Sequence, residues 1–589
     1  MKSSNLTSLF FRLWNHLSPS RHKQFTLLVF LIIFASFAEV LSIGTVLPFL
    51  SVLTEPDIIF NMPASQQVLK WFNFTNSNQL LLPITIAFII STLIAGATRL
   101  LLLWASTHLS FATGADLGID IYRKTLYQPY KVHVARNSSE VISGITGKAN
   151  GLVYSIIIPL INIIGSIFII GSILIAIISI NPLIFISAFV GFGLIYGLIA
   201  LTARKRMELN SKIVAKEYSQ VFKSLQEGLG GVRDVLLDGS QEVYCDIYKI
   251  SDRRLRKAYA ENVITGGGPR FIMEALGMVL IAGFAYITSQ NSKGLLSTLP
   301  LLGSLAMGAQ RMLPVLQQGY AAWISVKSNE GMLVDVLDLL DQPLPDYASK
   351  LILNPMSFQK KIVIENISFQ YHPDGPIVLR NISFDILKGS KVGIIGITGS
   401  GKSSLLDIIL ALLEPSSGKL MVDDQIINTD SMRSWQANIA HVPQNIFLSD
   451  ASIAENIAFG IPVQEIDFEK VRRAAKQAQI SEHIDSLKNG YNTFVGERGI
   501  RLSGGQRQRI GIARALYKEA KVIVFDEATS ALDNETEKAV MEAINGLGKD
   551  LTILMIAHRL STVKDCDKII ELKDGEVIRI GKYDDLFTN

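Results

Sequence analysis

Six apolar stretches, near residues 25–53, 80–107, 152–180, 183–203, 271–290 and 295–322, limit what this chain can become more than any other feature. Each reaches about 20 residues, the length at which a helix crosses the hydrocarbon core of a bilayer. The third and fourth hold no Asp, Glu, Lys or Arg from Leu152 to Ile180 or from Leu183 to Ala203. Ser179-Ile180-Asn181-Pro182 joins them as a tight hairpin, because Asn and Pro end one helix and start the next. The fold expected over 25–326 is therefore an all-α, polytopic membrane domain.

Basic residues orient it. The lead-in 1–24 carries Arg12, Arg21 and Lys23 and has no short apolar segment with a cleavage site, so it reads as cytosolic and not as a removable signal. The connection at 108–150 carries Arg123, Lys124, Lys131, Arg136 and Lys148, and that at 204–266 runs from Arg204, Lys205 and Arg206 to Lys257. The opposite loops show Lys70 and Lys293. The positive-inside rule then puts both termini in the cytosol. Both basic connections read as long helical arms. A break at Gly228, Gly230 and Gly231 is followed by Val232 to Leu237, which reads either as part of a solvated helical hairpin with no partner or as a short transverse helix that touches a cytosolic partner. Between the first two spans, Ala64 to Phe74 reads equally as a short amphipathic helix on the outer surface or as an ordinary loop.

After residue 326 the chain turns polar. Pro343, Pro345 and Pro355 mark a linker, 327–360, into a soluble region, 361–589, where strand and helix patterns alternate. That alternation implies an α/β domain with a parallel sheet. A length of 589 residues accommodates such a division, and 18% charged against 49% hydrophobic residues suits a membrane region fused to a soluble one. The balance of 56 basic against 52 acidic residues gives no case for nucleic-acid binding. Cys245 and Cys566 lie far apart without metal-ligand spacing, which fits a reduced cytosolic setting.

Chemistry enters at Gly396-Ile397-Thr398-Gly399-Ser400-Gly401-Lys402-Ser403, with Ser404 next. The stretch fits the P-loop pattern and follows the apolar run Val392 to Ile395. Glycines let successive N–H groups converge on phosphate oxygens at a helix start. Lys402 would reach the β- and γ-phosphates and the Ser403 hydroxyl would ligate Mg²⁺. Downstream, the buried run Val522-Ile523-Val524-Phe525 ends in Asp526-Glu527. The strand end delivers Asp526 to the metal's water shell and Glu527, as general base, to the attacking water.

Leu502-Ser503-Gly504-Gly505-Gln506 resembles the signature sequence of the ATP-binding cassette transporters, and other P-loop ATPases lack it. The resemblance covers nearly all of 360–589. It implies an adenine-stacking role for Tyr371, a Mg²⁺- and membrane-sensing role for Gln444, and a γ-phosphate switch at His558. It also implies that Ser530-Ala531-Leu532-Asp533 communicates between two sites, and that Val495-Gly496-Glu497-Arg498-Gly499 is the cross-talk segment of exporters. In this family the signature of one subunit closes over the P-loop nucleotide of another. One cassette and six spans thus imply a half-transporter working as a homodimer, with ATP and Mg²⁺ at both sites.

Cargo is argued from charge inside the membrane. Arg99, Arg270 and Arg311 fall in the inner half, and their doubling in a dimer suits a phosphate or pyrophosphate group. The alternative is that they snorkel or pair, Arg270 with Glu274, while Glu39 balances an arginine. The contexts Gly268-Pro269-Arg270 and Arg311-Met312-Leu313-Pro314 resemble, more loosely, the branch that flips lipid-linked oligosaccharides across a bacterial inner membrane. The expected cargo is then a polyprenyl-pyrophosphate-linked glycan. A multidrug, lipid or peptide exporter is the first alternative, and a regulatory membrane ATPase without transport the second.

Overall fold

The computed structural model describes residues 6–54, 57, 60, 76–136, 141–142, 144–180, 182–289, 295–349, 354–527, 534–545, 551–557 and 560–587. Two compact units divide the chain: Met1–Gln128 with Arg136–Pro343, and Pro129–Ala135 with Leu344–Asn589.

The first unit is helical. α1 (Leu6–Asn15) is followed by α2 (Pro19–Gly44), α3 (Val46–Thr54) and α4 (Leu81–Leu126). Ser18 caps α2 by accepting from the Arg21 N–H, and Pro19 occupies the first turn, where a missing donor costs nothing. α5 (Tyr130–Ala135) groups with the second unit. After π-helical turns at Gly144–Lys148 and Val153–Ile157 come α6 (Ile158–Ile180), α7 (Pro182–Gly230), α8 (Val232–Leu237), α9 (Gln241–Ser289), α10 (Leu295–Ser328) and α11 (Glu330–Leu340). Among the described residues three helical runs, Pro19–Leu53, Leu81–Leu126 and Ala149–Ile175, are long and apolar enough to cross a membrane. α7, α9 and α10 run through the remaining predicted spans. The short helix after the glycine break forms as α8, while the proposed outer helix at Ala64 to Phe74 lies outside the described residues.

Apolar side chains in this unit point two ways. Leu9, Leu28, Ile32, Leu117, Ile121 and Ile156 bury one another. Leu27, Phe30, Leu100 and Leu103 are more than half exposed, as a surface bathed in lipid requires. The expected linker 327–360 is not all linker. α11 lies inside it and buries Leu333, Val336, Leu337 and Leu340 completely, at the spacing of one helix face. The polarity change after residue 326 therefore marks the end of the lipid-facing surface, and the units divide at Pro343.

The second unit carries two sheets. β1 (Lys361–Phe369), β2 (Leu379–Leu387), β4 (Ser417–Val422) and β5 (Gln425–Ile426) form an antiparallel sheet in the order β2-β1-β4-β5. β3 (Lys391–Gly396), β6 (Ile439–Val442), β7 (Val522–Asp526), β8 (Thr552–Ile556), β9 (Lys568–Lys573) and β10 (Glu576–Gly581) form the other, ordered β10-β9-β3-β8-β7-β6. Its strands are parallel except β10, which pairs antiparallel at the edge. β3, β7 and β8 read as unbroken apolar runs because both faces are covered. α12 (Lys402–Ile409), α13 (Phe468–Gln477) and α14 (Gly504–Tyr517) pack around this sheet.

Candidate functional site: a nucleotide cradle at the strand ends

β3 ends at Gly396 with φ +153, in a conformation side chains rarely adopt; a Cβ there would stand 2.3 Å from the Leu572 carbonyl oxygen. Only glycine allows the loop to leave the sheet this closely. Gly399 (φ +85) faces open space, and Gly401 (φ +96) caps α12 in the left-handed conformation. Ile397, Thr398 and Gly399 are exposed, whereas Ser400 and Lys402 are buried. The loop thus turns its backbone outward at the start of α12, as an anion cradle must.

Two features show that the cradle fits a polyphosphate with its metal. The Ser400 hydroxyl is buried without a hydrogen-bond partner. Lys402 donates to the carbonyls of its own loop, Gly396 at 2.8 Å and Ile397 at 2.9 Å. Burial holds its ammonium below the ordinary lysine range, with Glu527 and Asp526 pulling the other way. A half-desolvated cation gains from an incoming anion. Ser403 is exposed at the first turn of α12, where its hydroxyl can ligate Mg²⁺, and Ser404 is buried beside it.

The acidic pair arrives as predicted from β7. Asp526 is the last residue of that strand, level with Ile556 of β8. Glu527 leaves the sheet with φ +50, and its N–H donates to the Ile556 carbonyl at 3.1 Å. A non-glycine residue in this conformation stores local strain, a pattern concentrated at working sites. Gln444, 83 positions away in sequence, donates from Nε2 to Glu527 Oε2 at 2.8 Å.

Tyr371 packs edge-to-face on Phe369, with ring centroids 4.9 Å apart, and its hydroxyl lies 3.1 Å from Ser404 Oγ. It therefore adjoins the cradle it is expected to serve. Ser503 caps α14 through a reciprocal box with Gln506, whose side chain accepts from the Ser503 N–H at 2.8 Å. The Gly504 and Gly505 N–H groups begin the 14-residue helix without side chains to screen them, which suits an anion. His558 and Asp533 lie outside the described residues.

Three groups escaped sequence reasoning. Arg514 of α14 donates to the Phe447 carbonyl at 3.0 Å and the Asn456 carbonyl at 2.9 Å, tying the signature helix to the segment after Gln444. Burial pushes its guanidinium down to about 10. Asp407 of α12 is pushed up to about 6 by burial and by Asp526. Tyr130 of α5 feels Asp407 and Tyr371, and burial raises its phenol. The signal was distributed over distant positions, so no local pattern could reveal it.

In the membrane unit, Arg99 Nη2 lies 2.6 Å from Glu39 Oε1, whose side chain is 2% exposed. Arg270 Nε donates to Glu274 at 2.8 Å. The alternative weighed from sequence, pairing, thus describes two of the three arginines. The side chain of Arg311 lies outside the described residues.

Comparison with known proteins follows the same division. Residues 24–305 match the model of the ABC transporter transmembrane region, and residues 379–530 match the ABC transporter model. A leukotoxin translocation ATP-binding protein of Mannheimia glucosida is 42% identical over 252 residues, covering 43% of this chain and 35% of that protein. The ATP-dependent lipid A-core flippase of Ralstonia nicotianae is 32% identical over 370 residues, covering 62% of this chain and 61% of that protein. The chain thus spans about a third of the toxin translocator's length and about three-fifths of the flippase's. The solved structure of a bacterial Atm1-family ABC exporter with ATP bound superposes with a TM-score of 0.77 at 22% identity, covering 96% of each chain. With a helical membrane unit, a P-loop, an acidic strand end and a signature helix in that order, the chain belongs to the ABC transporter family and has the exporter fold.

Proposed function

We propose that this protein is an ATP-hydrolysing exporter or flippase that works as a homodimer in a bacterial inner membrane, with the ATPase unit in the cytosol. The observation that carries the reading is Glu527 held at the end of β7 by Gln444, in electrostatic reach of Lys402. An amide that fixes the carboxylate aims it at the attacking water. Mg²⁺, when bound, would supply positive charge that offsets the negative charge of the reacting phosphates. Lys402 would exchange its loop carbonyls for phosphate, Ser403 and Asp526 would hold the metal, and Tyr371 would stack on adenine. Ser503 to Gln506 of a second copy would complete the site, with His558 and Asp533 as switch and messenger.

For cargo, a polyprenyl-pyrophosphate-linked oligosaccharide remains the reading favoured here. Its support is the looser likeness around Arg270 and Arg311, together with the lipid A-core flippase match, which at 370 residues is longer than the ATPase region alone. The toxin translocators favour a polypeptide exporter as second reading, but their 252-residue match is close to the ATPase region's own length. Arg99 and Arg270 face carboxylates, and Arg311, the deepest of the three by its position in the span, is the arginine chosen to test the cargo reading. Reconstituted protein should translocate a lipid-pyrophosphate glycan, and Arg311→Ala should slow it by at least about tenfold, the loss of one charged hydrogen-bonded pair. Equal movement of a neutral drug by both proteins, with no glycan transport by either, would refute it.

A further inference from the structure

At the cytosolic end of the predicted spans, α1, the N-terminal half of α2, Thr113 of α4 and the start of α6 line a partly open cavity of about 260 Å³. Its wall is apolar, with Leu13 and Trp14 from α1, Val29 from α2 and Leu160 and Ile164 from α6. Two threonines are among its lining residues. Thr26 donates to the His22 carbonyl at 2.9 Å, but Thr113 of α4 is 1% exposed and its hydroxyl has no hydrogen-bond partner. An ordered water needs two to four polar partners, so it would be poorly held here. The site suits a long apolar ligand with a single acceptor.

We infer that this cavity binds one acyl chain of a cytosolic-leaflet phospholipid, whose ester carbonyl accepts a hydrogen bond from Thr113. The size is right: a dry apolar cavity of about 150 Å³ holds a benzene, so the present one has room for roughly ten carbons. The surroundings of the lining residue Trp14 suit a headgroup as well. Trp14 stacks on His22 at 4.5 Å, His22 Nε2 bonds the Trp14 carbonyl, and Lys23 is exposed on the next position of α2. An aromatic and basic rim is what a phosphate headgroup meets at a membrane interface. Supply is assured, because Leu27 and Phe30 on the neighbouring faces of α2 are 67% and 64% exposed along a membrane-crossing helix. The wall is held in place independently of the ligand: Arg12 binds Asp338 and Asp341 of α11, and His16 Nε2 lies 2.7 Å from Asp341.

The test uses the full-length protein in phosphatidylethanolamine–phosphatidylglycerol vesicles containing a trace of phosphatidylethanolamine with a diazirine near the acyl carbonyl. After irradiation, crosslinks mapped by mass spectrometry should concentrate on Val29, Thr113 and Leu160, several-fold above Leu100 and Leu103, which face bulk lipid. Val29→Phe and, separately, Leu160→Phe fill the cavity and should remove that excess while basal ATP hydrolysis persists. Thr113→Val keeps the volume and should shift the crosslinks along the chain. Uniform labelling of wild-type protein overturns the proposal, as does excess labelling that survives both filling variants. So does labelling chased by added polyprenyl phosphate and not by unlabelled phosphatidylethanolamine, since the occupant would then be a polyprenyl tail.

Discussion

Glu39 and Glu527 are the same side chain in two solvents. Glu39, in a helix facing lipid, is almost fully buried and touches a cation, Arg99, at 2.6 Å. Glu527, at the mouth of a water-facing cradle, touches a neutral amide at 2.8 Å. The membrane unit cancels its buried charge, because an isolated ion in hydrocarbon costs several kcal/mol. The ATPase unit orients its carboxylate with a neutral amide, with Lys402 in electrostatic reach, an arrangement suited to acting on water. A carboxylate gripped directly by a cation serves structure in one unit, and a carboxylate oriented by an amide serves chemistry in the other.

The contrast can be broken from either side. The largest effect should come from Glu527→Gln: ATP binding persists while turnover falls by about 10²- to 10⁴-fold, the usual reach of a general base. Single-turnover kinetics with intact nucleotide binding would check this, and unchanged hydrolysis would make Glu527 as structural as Glu39. Next is Glu39→Gln, which strands Arg99 and should cost about 3–5 kcal/mol. It should be visible as a lowered thermal midpoint in detergent. Glu39→Leu with Arg99→Met should recover most of that loss, because two apolar groups replace two charges. A double variant no better than the single one would mean that Arg99 serves cargo and not Glu39.

His441 sharpens the same contrast through pH. Burial alone pushes its imidazole down to about 4, and its Nε2 is buried without a hydrogen-bond partner. The folded protein therefore holds His441 neutral where the unfolded chain would protonate it. Its contribution is complete above the unfolded value near 6.5 and is lost as pH falls from there toward 4. The loss is at most about 3 kcal/mol. Melting curves between pH 7 and 5 should flatten in His441→Leu. The smallest effect is expected from Tyr371→Ala, where loss of a stacking ring of about 0.5–1.5 kcal/mol should raise KM for ATP roughly two- to tenfold with kcat little changed.

What could be read from the sequence follows how far each feature reaches along the chain. The P-loop, the acidic strand end and the signature helix are each written within eight residues, because strand, turn and helix must follow one another directly. Their expected elements appear as β3, α12, β7 and α14. Gln444 with Glu527, and Glu39 with Arg99, span 83 and 60 positions, and only tertiary packing brings them together. The helix inside the expected linker is hidden from sequence for a related reason. α11 is amphipathic, so its average polarity conceals the four side chains it buries. α5 was assigned to the membrane region by position in the chain, yet it groups with the ATPase unit.

Lys402, bonded to two carbonyls of its own loop, has a further consequence. The loop is never without an anion surrogate: its carbonyl oxygens stand in for phosphate and keep the ammonium where it will be needed. Nucleotide capture is then an exchange of acceptors, and its net gain is the difference between two good states. Release is eased by the same amount, since the departing phosphate is replaced at once from within. Such a site trades tightness for turnover, which is what a motor that must empty itself on every cycle requires.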